Sequence, residues 1–254
     1  MTFAIQPVAG TKNQFDFPVT LAWCSETHLF GGASFGALVE ALEASSGKPL
    51  LHASIQFLER GKIDTTLRIE TRMLAEGKSV AQAQAQARAG DALIVSAMAT
   101  MGAIGGNAGI TSQFPGGPDP DSVPVRKYLR AIPGSITDTQ DVRLIGVDGL
   151  RVRMWMRMPK AEGTMSASIL ALLSDQVSAA MGFVMGIEKW WGLTLDGSLR
   201  IASDFGTRGA SDWLLVTTRF EALTESFGHG AIEMWSRDGT LLATAAQSVR
   251  PRRW

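Results

Sequence analysis

The sequence predicts an α+β protein in which one helix-on-sheet unit is used twice. Strand and helix periodicities recur in the same order in both halves, a Gly- and Pro-rich stretch lies between them, and a matching turn precedes the last strand of each half. With 254 residues, 45% of them hydrophobic, two such units can bury a sizeable core.

The elements follow in order. Phe17–Trp23 is a short apolar run that reads as a strand. Phe35, Leu38, Val39 and Leu42 recur at helical spacing, with Glu40 and Glu43 on the other side, and Gly47-Lys48-Pro49 ends that helix. Four strand-like segments follow, Leu50–Leu58, Thr65–Leu74, Val80–Arg88 and Ala92–Thr100, separated by turns at Arg60-Gly61, Glu76-Gly77-Lys78 and Ala89-Gly90-Asp91. The strict alternation of Ala and Gln from Ala81 to Ala87 favours a strand with alanine facing the core. Residues 102–138, rich in Gly and Pro, read as a crossover, which places the halves at 1–110 and 140–254 with 111–139 between them.

The second half opens on a strand, Arg151–Met158, with Val152, Met154, Met156 and Met158 inward. A helix is expected from Thr164 to about Ile187, then strands at Leu193–Ala202, Trp213–Leu223, Gly230–Ser236 and Leu241–Val249. Arg237-Asp238-Gly239 occupies the place that Arg88-Ala89-Gly90 has in the first half.

Composition excludes several classes. Lys plus Arg and Asp plus Glu balance at 24 each, so no basic field for nucleic acid is present. The arginines of Arg250-Pro251-Arg252-Arg253-Trp254 read as a solvated end, with phosphate binding as the minor alternative. The single Cys24 forbids an internal disulfide and reads as a small buried hydrophobe. Met1–Gly10 lacks the pattern of a signal peptide, and Ala92–Ile104 is too short to span a bilayer, so a cytoplasmic protein without a membrane partner is expected. His28, His52 and His229 are scattered without metal-ligand spacing, and no phosphate-binding glycine motif is present, so no cofactor is expected.

Two residues stand out chemically. In the second helix Ile169, Leu173, Val177, Ala180 and Val184 form one apolar stripe, and Asp175 lies nearly opposite among Ser168, Ala171, Ser178, Gly182 and Gly186. Those small residues indicate close packing on a second surface, where a lone carboxylate is costly unless hydrogen-bonded or functional. The plainer alternative is a carboxylate on a partly wet helix surface. Gln247 shares the parity of Leu241, Ala243, Ala245 and Val249, so its carboxamide needs a partner: backbone, Asp175 or water. Thr194, on the polar parity with Asp196 and Ser198, carries no signal alone. Gly32-Ala33-Ser34-Phe35-Gly36 matches the nucleophile pattern G-x-S-x-G, but no buried strand precedes it; small residues that let the helix approach a sheet explain it better.

Taken together, Leu29-Phe30-Gly31-Gly32, His52–Leu58 leading to Arg60-Gly61, Asp91–Thr100, Leu172-Leu173-Ser174-Asp175, Leu193-Thr194-Leu195-Asp196, Asp212–Leu215, Arg237-Asp238-Gly239 and Ala245-Ala246-Gln247 resemble, in order and spacing, the acyl-CoA thioesterase II family. The resemblance covers nearly the whole chain and implies a double hotdog fold. It implies hydrolysis of acyl-CoA to free acid and CoA, with Asp175, Thr194 and Gln247 holding a water that attacks the thioester, and a homodimer or higher assembly. The family often has Gln where this chain has Ala33, so the first half is expected to be a support for the acyl chain and the interface rather than a second active centre. Gly197 replaces a common His, and Ser203–Arg208 replaces a His-Arg-Pro segment, differences expected to bear on the pocket lining. Two rival functions are an acyl-CoA-binding protein without turnover and an enoyl-CoA hydratase, which would require a His beside Asp175.

Overall fold

The structure is a computed structural model that describes residues 3, 5–105, 111–126, 128, 131–186 and 189–253. Strands β1 (Gln6–Pro7) and β2 (Gln14–Val19), and a small hairpin of β3 (Cys24–Ser25) and β4 (His28–Leu29), lead into helix α1 (Gly31–Ser46). Strands β5 (Leu50–Phe57), β6 (Thr65–Glu76), β7 (Val80–Ala89) and β8 (Ala92–Gly102) complete the first half. The second half holds the short α2 (Ile136–Thr139), then β9 (Asp141–Asp148) and β10 (Arg151–Arg157), then α3 (Ala167–Leu173) and α4 (Val177–Met185). It ends on β11 (Trp190–Ile201), β12 (Leu214–Leu223), β13 (Gly228–Ser236) and β14 (Leu241–Arg253).

The expected pair of sheets is one twelve-stranded antiparallel sheet in the order β1-β2-β6-β7-β8-β5-β11-β14-β13-β12-β10-β9. The order β2-β6-β7-β8-β5 in the first half is the plan of β10-β12-β13-β14-β11 in the second, and the two copies meet at β5 and β11. There Ala53 faces Leu199 and Ile55 faces Gly197. Each joining strand would otherwise be an open edge with unpaired backbone groups, and pairing them satisfies both.

Burial follows the alternation read from the sequence. Ala81, Ala83, Ala85 and Ala87 point into the core, as do Val152, Met154, Met156 and Met158. Trp155, of opposite parity, is also buried, because the connector covers the outer face of the second half. Phe114 and Val123 pack there with Trp155, Trp213, Leu215 and Trp235, and Trp155 Nε1 donates to Pro118 O at 2.9 Å.

Several elements differ from expectation. The first strand ends at Val19, and Leu21–Trp23 is a tight 3-10 turn whose Trp23 N–H donates to Thr20 O. β9, an edge strand, was not read from the sequence. Arg250–Arg253 is not a free end: its backbone continues β14 against β11 with Pro251 buried, while the three arginine side chains are exposed, as expected; Trp254 lies outside the described residues. The expected continuous helix starts later, at Ala167, and is interrupted at Ser174–Gln176; its anticipated end at Ile187 lies outside the described residues. Thr164 instead bridges Gly209. The interruption has local causes: Ser174 Oγ bonds back to Ala171 O at 2.8 Å, and Gln176 N donates to Ser174 O rather than one turn back. Ala167–Met185 is long and apolar enough to cross a membrane by length and composition, but 72% of its most apolar window is buried inside the fold.

The small residues of α1 serve helix-on-helix contact rather than the helix-on-sheet contact expected. α1 crosses α3 so closely that a Cβ at Gly36 would lie 2.7 Å from Ser168 O and 2.2 Å from the Phe3 ring. Because one of those atoms is backbone, Gly36→Ala is expected to lower stability by about 1–3 kcal/mol. The midpoint of denaturant unfolding checks this; an unchanged midpoint would show that the helices can part at no cost.

Candidate functional site

The interruption between α3 and α4 places Asp175 at the centre of the molecule, 4% exposed. Three donors reach its carboxylate from three distant parts of the chain. Gly32 N–H, in the first turn of α1, donates to Oδ2 at 2.9 Å. Thr194 Oγ1 on β11 donates to Oδ1 at 2.9 Å, and Gln247 Nε2 on β14 donates to the same oxygen at 3.0 Å. The other end of the Gln247 amide accepts from Val177 N at 3.1 Å, at the start of α4, which fixes which end of the amide faces the carboxylate. The three residues anticipated from the sequence are therefore together, and the wet-surface alternative for Asp175 does not hold.

The local chain explains how each arrives. A Cβ at Gly31 would lie 2.5 Å from Asp175 Oδ2, and one at Gly32 would lie 2.2 Å from Leu172 O, so only glycines let α1 bring its first turn against the carboxylate. Thr194 is turned by a register shift between Thr194 and Asp196. It sits opposite Val249, on the inward side, and not on the polar parity with Asp196 that the sequence suggested. Burial pushes the Asp175 carboxyl above the ordinary carboxylate range, opposed by the bonds from Gln247, Thr194 and Gly32.

Asp175 and Thr194 line a cavity of about 600 Å³. Leu29, Phe30, Phe57, Ile94 and Val95 give it an apolar wall from the first half, and Ser178, Ala179 and Gly182 of α4 form a wall of small residues. The connector contributes Tyr128 and Thr137. Tyr128 has no sequence signature, being a single residue in an irregular segment. Its hydroxyl lies within bonding distance of the Oε1 atoms of Gln140 (3.3 Å) and Gln176 (3.2 Å), and burial raises its pKa, with the Asp175 charge adding to the effect. Of the histidines, only His28 lines the cavity, and none donates to Asp175. Ala33, Gly197 and Ser203–Arg208 are not among the residues that line this cavity. Gly197 lies instead directly across the ladder from Gln247. A second cleft of about 610 Å³ carries Arg157, Arg208 and Arg237 with Asp121, Asp212 and Asp238; there Arg208 pairs with Asp238, and Arg237 with Asp119. Among the described residues no group of three or more His, Cys, Asp or Glu could hold a metal ion.

The sequence matches the profile of the acyl-CoA thioesterase N-terminal domain over residues 19–102 and that of the acyl-CoA thioesterase C-terminal domain over residues 111–250. The chain belongs to the acyl-CoA thioesterase family. A candidate thioesterase from Novosphingobium aromaticivorans superposes with a TM-score of 0.87 at 24% identity, over 98% of this chain and 99% of that one. A hot dog fold protein from Alicyclobacillus acidocaldarius gives 0.86 at 21% identity, over 98% and 96%. The acyl-CoA thioesterase II TesB2 from Mycobacterium marinum gives 0.77 at 16% identity, over 99% and 96%. At these identities the likeness shows the fold, a double hotdog. A search of curated proteins gave no match.

The raised pKa of Asp175 sets a pH dependence of the thioesterase's stability. Its carboxyl holds a proton more tightly folded than unfolded, so its contribution to stability is complete below the ordinary carboxylate pKa. That contribution falls as pH rises from the ordinary value through the raised one, and is level above it. Unfolding free energies of wild type and Asp175→Asn measured across this range should therefore differ by an amount that changes in this window and is flat above it. A difference that does not vary with pH would contradict the assigned shift.

Proposed function

We propose that this thioesterase hydrolyses acyl-CoA by direct attack of a water held on Asp175, with Thr194 and Gln247 fixing the carboxylate. The observation that carries the reading is the occupancy of that carboxylate. An ionised carboxylate has about four acceptor sites. Two bonds are accepted at Oδ1 and one at Oδ2, which leaves a site on Oδ2 of a residue that lines the cavity. A water there donates to Oδ2 and turns a lone pair to the thioester carbonyl carbon. As the new C–O bond forms, its proton passes to Asp175. The C–S bond then breaks, and that proton goes to the departing CoA thiolate. The N-terminal end of α1, where Gly31 lines the cavity, supplies positive potential for the developing oxyanion. No covalent link to the protein forms.

The raised pKa suits this role, since a base closer to neutrality takes a proton more readily in the transition state. The hydratase reading has less support, because the partners of Asp175 are Thr194, Gln247 and Gly32, with no His among them. Two further parts of this reading go beyond the site: a homo-oligomer, which the family resemblance implies, and a cytoplasmic location, which is the expectation from the sequence.

Thiol release from a panel of acyl-CoAs, from acetyl to long-chain and aromatic, tests the proposal. Wild type should release thiol, and Asp175→Asn should lower kcat by about 10²–10⁴-fold while remaining folded. Thr194→Ala and Gln247→Ala should lower kcat with smaller changes in KM. Retention of near wild-type kcat by Asp175→Asn would overturn the assignment, and binding without any release would leave the binding-protein reading. Because the carboxylate is the active form, the rate should also decline as pH falls through the raised pKa of Asp175. An acid limb at the ordinary carboxylate value would contradict the role given to burial.

A further inference from the structure

We propose that the rim of the cavity beside Trp191 binds the phosphates of the CoA nucleotide on Arg60, Arg250 and Arg252. This rests on the acyl-CoA reading of the same cavity and adds where its charged end lies. Residues Trp190–Leu195 of β11 line the cavity. On the neighbouring strand β14, Arg252 stands opposite Trp191 and Arg250 opposite Leu193. Directly opposed residues of an antiparallel pair project to the same face, so both arginines emerge on the side of Trp191 and Leu193. From across the cavity, Arg60, which follows β5 and also lines the space, places its guanidinium carbon 4.9 Å from the centre of a Trp191 ring. Arginines from two separate parts of the chain thus gather around one tryptophan at the rim.

Among the described residues, a lack of counter-ions separates them from their neighbours. Arg253 is paired with Glu225 and lies over Trp190, and Arg157 and Arg208 are paired with Asp141 and Asp238. Among the described residues, no carboxylate lies within ion-pair reach of Arg60, Arg250 or Arg252. Two carboxylates, Glu26 and Glu59, also line the cavity, and neither is paired with them. Arg250 and Arg252 are exposed. In a chain of zero formal net charge, unpaired guanidinium groups in one place form a local field that fits a polyanion. Acyl-CoA is such a ligand: a diphosphate and a ribose phosphate joined to the thioester by a flexible, uncharged arm. With the thioester at Asp175, that arm leaves through the rim and brings the phosphates to these side chains.

The test compares acyl-CoA with the matching acyl thioester of N-acetylcysteamine, which carries no nucleotide. The double variant Arg250→Ala/Arg252→Ala changes exposed side chains outside the cavity lining. Its KM for acyl-CoA should rise about tenfold or more with kcat retained, while its rate on the N-acetylcysteamine thioester stays at the wild-type value. Equal losses on both thioesters, or an unchanged KM for acyl-CoA, would overturn the proposal. If wild type turned over neither thioester, the hydrolytic reading would fail separately. Calorimetric binding of free CoA would then decide: weaker binding to the variant supports the phosphate site, and equal affinity rejects it.

Discussion

Asp175 carries an ionisable group into a place where 4% of the residue is exposed, and a charge there is tolerable only if hydrogen-bond donors replace the lost water. The donors come from Gly32, Thr194 and Gln247, so one side chain ties the helix of the first half to two strands of the second. Much else in the structure serves this arrangement. The helix must stop at Ser174–Gln176 to turn the carboxylate inward, α1 must begin with glycines to come close enough, and β11 must shift register at Thr194 to aim the hydroxyl.

The fused sheet sets the frame for those contacts. Pairing of β5 with β11 fixes the first half against the second through backbone hydrogen bonds, while α1 packs on α3 within the curve of the sheet. The cavity lies between the halves, with apolar side chains from one and the carboxylate from the other. The first half thus takes part in the site directly: it supplies an amide that helps hold the charge. A change in the contact of α1 with α3 would move that amide and alter the carboxylate's environment without touching any side chain of the trio.

What could be read from the sequence follows the strength of the side-chain signal. The period of two in Ala81–Ala87 and in Val152–Met158 fixes which face is buried, because a slip of one residue would reverse it. Asp175 and Gln247 were visible because each places a polar group among residues that otherwise pack. Thr194 was silent, since threonine in a strand needs no explanation, and only the family resemblance singled it out. The Gly32 amide was out of reach because a backbone donor has no residue type. The helix interruption was hidden for a different reason: Ser174, Asp175 and Gln176 do not individually break a helix, and the tertiary bond from Val177 to Gln247 holds the new start. The arginines of β14 looked like a chain end until strand pairing placed them beside Trp191.

The central claim is that Asp175 activates water and does not itself attack the thioester. A single turnover of acyl-CoA in water enriched in heavy oxygen, quenched and read by mass spectrometry of both the acid and the protein, tests it most directly. The account predicts label in the released acid, no acyl adduct on the protein and no label in Asp175. An acyl adduct, or heavy oxygen incorporated into the Asp175 carboxylate, would mean that a covalent anhydride forms and would contradict the account.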